Sequence, residues 1–140
     1  MKWWDRLDKI RRARGLLLIA DEVQTGMGRL GTLFGCEAFD ARPDVCTLGK
    51  GIGAGVPLGA LLATEKASVF EHGEQGGTYC GNPLMTAVGT AVVEALLAPG
   101  FLAQVRDSGE YLSRQLSALS GELGLGAERG IGLLRALDLG

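Results

Sequence analysis

Three short segments of this sequence put reactive or anion-binding groups where the backbone must turn. Lys50 stands between Gly49 and Gly51. Neighbours without side chains leave room for a carbonyl carbon, and a desolvated lysine gives up its proton readily enough to form a Schiff base. The same amine can move a proton at an adjacent carbon. Asp21 closes the apolar run Leu16-Leu17-Leu18-Ile19-Ala20. A carboxylate at the end of a buried strand is costly unless paired, and a protonated ring nitrogen is one suitable partner. Gly76-Gly77-Thr78 precedes Asn82-Pro83, and its free N–H groups with a hydroxyl suit a phosphate. Taken singly, each has a plainer account. Asp21 caps the next turn or meets Arg29, Lys50 is a solvated loop lysine, and Gly-Gly-Thr is an ordinary turn.

Two other glycine patterns do not hold up. Gly26-Met27-Gly28-Arg29-Leu30-Gly31 satisfies the dinucleotide-binding G-x-G-x-x-G spacing. Asp21 to Thr25 separate it from the strand, however, and no strong helix opens at Gly31-Thr32. Gly49-Lys50 resembles the end of a phosphate-binding P-loop but lacks the upstream glycine and the hydroxyl residue after the lysine.

The elements that would position these groups can be read from periodicity. Trp3 to Arg14 has the spacing of a short amphipathic helix, with Trp4, Leu7 and Ile10 on one side, and Gly15 stops it. Leu16 to Ala20 then reads as a buried parallel strand. Asp44–Leu48 and Leu58–Thr64 are further strand candidates, with a loop over 49–57 between them. Asn82 as N-cap and Pro83 at the first helical position open a helix whose inner face carries Leu84, Val88, Val92 and Leu96. Pro99-Gly100 ends it. A second helix runs from Phe101 to Leu119, with Phe101, Val105, Leu112, Leu116 and Leu119 inward. Residues 121–130 read as loop and Ile131–Leu139 as a strand. Strands alternating with helices predict an α/β sheet, whose ligands bind beyond the carboxyl ends of the strands. Asp21 and Lys50 both follow such an end.

The bulk properties limit the alternatives. The chain has 140 residues, 46% of them hydrophobic, and a formal charge of −2. No basic block is present to bind phosphate backbones, so no nucleic-acid partner is expected. The apolar runs are too short to span a bilayer, so no membrane is expected either. The 23 glycines follow no fixed period. Cys36, Cys46 and Cys80 have no metal-type spacing and His72 is the single histidine, so no metal site is expected; reduced cytosolic thiols are the simpler reading.

In combination the segments resemble the class III aminotransferases. Asp21-Glu22-Val23-Gln24-Thr25-Gly26-Met27-Gly28-Arg29 is similar to the D-E-V-Q-T-G-x-G-R signature of that family. Thr47-Leu48-Gly49-Lys50-Gly51, followed by Gly55-Val56-Pro57-Leu58-Gly59-Ala60, resembles its lysine segment. Gly76-Gly77-Thr78-Tyr79-Cys80-Gly81-Asn82-Pro83-Leu84 resembles its phosphate-contacting turn. The unbroken D-E-V-Q-T-G and the stretch Glu128 to Leu137 are similar to the acetylornithine and related ornithine-type branch. The likeness covers nearly the whole chain after Gly15.

That resemblance implies pyridoxal 5'-phosphate (PLP) as cofactor. Lys50 would carry it, Asp21 would face the pyridine nitrogen, and Val23 would pack on the ring. Gln24 would bond near the phenolic oxygen. Thr78 would reach the phosphate, from the neighbouring subunit of a homodimer. The implied reaction moves an amino group from N-acetylornithine to 2-oxoglutarate in arginine biosynthesis, in the cytoplasm. Succinylornithine, ornithine and 4-aminobutyrate are alternative donors. The implied fold is part of the large PLP-binding domain of a fold-type I enzyme, truncated at both ends. Residues 1–120 would give a partial large domain with its connecting helix, and 121–140 the start of the C-terminal small domain. Family members are several times longer. A glycine/serine phosphate loop, a ring-stacking aromatic residue and a substrate-gripping arginine are expected upstream. A non-catalytic remnant is the competing reading for the 140-residue chain, whose sheet would expose edges and apolar faces.

Overall fold

The first helix is held to the rest by charge more than by burial. The computed structural model describes residues 3–140, and helix α1 spans Trp3–Ala13 with no buried residue. Trp3 and Ile10, at apolar positions in the sequence pattern, are exposed. Trp4 rests on Phe39 with ring centroids 5.8 Å apart. Arg11 is the anchor: Nη1 donates to Asp44 Oδ2 at 2.7 Å and Nε to Asp8 Oδ1 at 2.7 Å. Asp8 also accepts from Arg12, and the two guanidiniums, Arg12 first, hold its carboxyl below the usual range. Gly15, at φ +64, stops the helix.

Strand β1 is Ile19–Asp21, shorter than and displaced from the expected Leu16–Ala20. It pairs in parallel with β2, Val45–Leu48, in the register Ile19↔Val45, Ala20↔Cys46, Asp21↔Thr47. Parallel pairing agrees with the sequence pattern; burial does not, since Leu16, Leu17 and Ile19 are all more than half exposed. β1 is one of the two outer strands of a sheet ordered β1-β2-β3, and Leu16 and Leu17 lie before it. The third strand, β3 at Ala60–Ala63, runs antiparallel to β2 rather than parallel. Only residues 49–59 connect them, as a 3-10 turn over Lys50–Gly53 and a glycine-rich link. A parallel return needs a dozen or more residues, usually a helix.

One face of this sheet holds the core. Cys46 and Leu48 of β2 pack with Ile52, flanked by Met27, Phe34 and Leu58. Helix α2, Pro83–Leu97, lies against that turn. The sequence signal at its start is met in full: Asn82 Oδ1 accepts from Leu84 N at 3.0 Å and Met85 N at 3.3 Å, with Pro83 at the first position. Its inner face is the expected one at Val88, Val92 and Leu96 but not at its start. Leu84 is exposed, while Gly89 and Leu96 are buried. Gly89 permits the approach, because a Cβ there would lie 2.5 Å from Leu58 Cδ2.

Helix α3, Phe101–Leu123, turns 72° from α2 and continues past the expected end at Leu119. A domain boundary at residue 120 falls inside it; the helix closes at Gly124 in the left-handed region. Phe101 and Leu119 are exposed, and the buried contact is Gly109. In place of loop and one strand, residues 128–137 form a hairpin, β4 Glu128–Ile131 and β5 Leu134–Leu137. The turn at Gly132 packs on Gly109, and Leu133 N donates to Arg29 O at 3.0 Å. Arg135 Nη1 meets Glu128 Oε1 at 2.9 Å, and Ser113 Oγ donates to Glu128 Oε2 at 2.9 Å, fixing the hairpin to α3.

Candidate functional site

The carboxyl ends of β1 and β2 carry four of the five residues singled out from the sequence. Asp21 ends β1 opposite Thr47. Its Oδ1 accepts from the Val23 amide at 3.1 Å and from Thr47 Oγ1 at 3.1 Å. Among the described residues no hydrogen bond is made to Oδ2. The expected cap of the following turn is therefore present, and contact with Arg29 is not.

Val23 packs under the other strand end. A Cβ at Gly49 would come within 3.3 Å of Val23 Cγ1, so glycine there lets the two turns close on each other. Gln24 and Lys50 then meet directly: Lys50 Nζ donates to Gln24 Oε1. Lys50 has φ +45, a left-handed conformation that costs a non-glycine residue of order 1 kcal/mol or more. Met27, at φ +54, shares that conformation and lines the same cleft. The cleft encloses about 350 Å³ between Val23, Gln24, Met27, Arg29, Lys50 and the hairpin residue Leu133.

Asp21 borders a different hollow, on the Trp4 and Phe39 side. The acid and the amine thus do not line one cavity; the segment Val23-Gln24 joins them, its amide on the acid and its side chain on the amine. Lys50 is exposed, so the described residues do not supply the desolvation expected of it. Thr78 is not brought in. It is exposed and lines a separate cleft with Pro57, Leu58 and Tyr79.

Sequence reasoning missed Glu22. It is 3% exposed, and its carboxylate accepts from Thr25 Oγ1 at 2.7 Å, Gly35 N at 2.7 Å and Cys36 N at 2.6 Å. Those bonds fold residues 22–36 into the wall behind the cleft. The signal available was a second acid directly after a strand, which in isolation reads as solvated. Burial, and next the Glu22 carboxylate, push the Cys36 thiol up to about 11. Burial likewise raises Cys46, followed by Glu22 and Asp21. Among the described residues no three His, Cys, Asp or Glu side chains cluster as a metal would require. The three cysteines are unpaired.

The donor set fits PLP on its own chemistry. A fixed carboxylate with one oxygen unused suits a ring nitrogen, the branched apolar side chain of Val23 in the lysine's cleft suits a ring face, and the amine is open to an aldehyde.

Residues 1–140 match the family described as aminotransferase class-III. The acetylornithine aminotransferase of Ralstonia nicotianae is 59% identical over 139 residues, covering 99% of this chain and 35% of that protein. A taurine:2-oxoglutarate aminotransferase from Bifidobacterium kashiwanohense, solved in complex with PLP and glutamate, superposes with a TM-score of 0.89 at 32% identity. That overlap takes in 98% of this chain and 32% of the other. An (S)-enantioselective omega-transaminase from Thermomicrobium roseum gives 0.87 at 36% identity, with 98% and 32% covered. The fold is thus part of the fold-type I transaminase fold, and the chain spans about a third of the length of the curated relatives it matches.

Proposed function

This chain belongs to the class III aminotransferases, and from that premise we propose that it forms the lysine-bearing part of a PLP-dependent enzyme transferring the amino group of N-acetylornithine to 2-oxoglutarate. The observation that carries the reading is the bonded series Thr47–Asp21–Val23 and Gln24–Lys50 across two parallel strand ends. The choice of N-acetylornithine rests on the name of the Ralstonia relative.

In this reading each residue has a task at a stated atom. Lys50 would hold the cofactor through Nζ, its amine replacing the oxygen of the cofactor's aldehyde, which leaves as water, and the same amine could move the proton of the substrate's α-carbon. Gln24 Oε1 accepts from Nζ and would orient the amine toward the cleft. Asp21 would keep a proton on the ring nitrogen through Oδ2, and Val23 would supply an apolar surface for the ring. The bound cofactor supplies the electron sink that makes the α-proton removable. Thr78, lying in a separate cleft, fits a donor that serves the site of a second copy in a homodimer. Residues 1–120 would supply the cofactor domain with its connecting helix, and 121–140 open a smaller one. Three unpaired thiols suit the cytoplasm. Because Lys50 is exposed, cofactor capture without useful turnover is expected of these 140 residues by themselves.

Borohydride reduction of the chain mixed with PLP, followed by peptide mass mapping, tests the assignment. Label should concentrate on the peptide holding Lys50 and vanish from it in Lys50→Ala. Capture spread evenly over Lys9, Lys50 and Lys66 would overturn it.

A further inference from the structure

Thr47 is given no task at the cofactor in the function proposed above, yet among the described residues it makes the one side-chain hydrogen bond to Asp21. Its Oγ1 donates to Asp21 Oδ1 at 3.1 Å across the parallel pair β1–β2, where Asp21 and Thr47 are register partners. The second donor to that oxygen is the Val23 amide, also at 3.1 Å. Both bonds fall on one oxygen. A free aspartate side chain rotates easily about both of its bonds, and two donors from different segments hold it in one rotamer and one orientation. The result is a loaded Oδ1 and an unused Oδ2. The backbone prepares this arrangement: residues opposite each other in a parallel pair present side chains to the same face, and Cys46 and Leu48, the flanking residues of β2, point to the core instead.

We infer that Thr47 is a positioning residue for Asp21: its hydroxyl fixes Oδ1 and so presents Oδ2 as the acceptor for a protonated ring nitrogen. This rests on the PLP reading of the site. Thr47 acts through Asp21 and touches no cofactor atom itself. A valine at 47 keeps the shape and loses the donor, while a serine keeps the donor.

Two measurements on the full 140-residue chain decide the point. The first needs no cofactor: three-bond NMR couplings from the Asp21 side-chain carboxyl carbon to its backbone nitrogen and carbonyl carbon report its χ1 rotamer. Wild type and Thr47→Ser should show one rotamer and Thr47→Val averaged couplings. A single unchanged rotamer in Thr47→Val overturns the inference. The second is a PLP titration followed by absorbance. Thr47→Val should weaken capture about tenfold, the size of one hydrogen bond to a charged group, and Thr47→Ser should restore it. In an Asp21→Asn background Thr47→Val should cost nothing further, because its only route is through the acid. Weakening by Asp21→Asn but not by Thr47→Val overturns the role of Thr47 alone. Equal capture by wild type and Asp21→Asn, or no capture at all, overturns the cofactor reading itself.

Discussion

Asp21 and Glu22 are neighbours in the chain and opposites in environment. The Asp21 carboxylate is exposed at the end of β1 with one oxygen unused. The Glu22 carboxylate is buried and accepts three hydrogen bonds from Thr25, Gly35 and Cys36. One acid is left available for chemistry and the other organises the loop behind it.

Glu22→Ala should therefore destabilise strongly. It strands two backbone donors and a hydroxyl in a dry site, a loss of about 3 kcal/mol or more. Urea unfolding followed by tryptophan fluorescence measures it. A loss below about 1 kcal/mol would mean that water replaces the carboxylate at little cost.

Cys36 makes stability fall in alkali. Its thiol moves from the ordinary 9.0 to about 11, with burial the larger cause and Glu22 the next. The folded state then keeps a proton that the unfolded state releases. The contribution is fully present below pH 9 and is lost as pH rises from 9 to about 11. Urea midpoints at pH 8 and 10.5 should differ less in Cys36→Ala than in wild type; an equal difference would show that the thiol is not the cause. Exposed Cys80 should react with iodoacetamide well before Cys36.

Two glycines of α3 should respond in opposite directions to alanine. A Cβ at Gly109 would lie 2.4 Å from Gly132 O, a backbone atom that cannot step aside alone. Gly109→Ala should cost about 2 kcal/mol by forcing the hairpin off the helix. Gly121 meets nothing within 4 Å, and Gly121→Ala should gain about 0.5–1 kcal/mol from reduced backbone freedom. Thermal melts of the two variants separate the effects, and melting points shifted the same way would contradict the packing described.

Asp44 should control whether α1 stays docked. Its Oδ2 accepts from Arg11 Nη1 at 2.7 Å and from Leu18 N at 2.8 Å, and α1 buries no residue of its own. Asp44→Ala should raise amide exchange in Trp3–Ala13 by about tenfold or more while the β2–β3 pair keeps its protection. Unchanged exchange in α1 would assign its docking to Trp4 and Phe39.

Local rules made part of this molecule legible in advance. The Asn82-Pro83 start of α2 and the strand at Val45–Leu48 follow from capping and an apolar run. Direction and burial did not follow. The residue types of 49–59 do not show that β3 returns antiparallel; the shortness of that link decides it. The hairpin was hidden because Gly130, at φ +148, and Gly132 look like loop residues when one lies in a strand and the other makes its turn. The inner face of α2 was read correctly at Val88, Val92 and Leu96, while its close contact through Gly89 was missed because glycine carries no hydrophobic signal. Glu22 reads as solvated because the groups that bury it arrive thirteen or fourteen residues later.

The opposed directions of the two strand pairs give this sheet an order in time. Leu48 finds Ala60 across 12 positions, whereas Thr47 finds Asp21 across 26. Closing the longer segment is dearer in chain entropy by about 0.7 kcal/mol, and β1 contributes only three residues to repay it. Asp21 is secured by the later of the two closures. That difference favours loosening of the grip on Asp21 before the short antiparallel excursion that carries Lys50 opens.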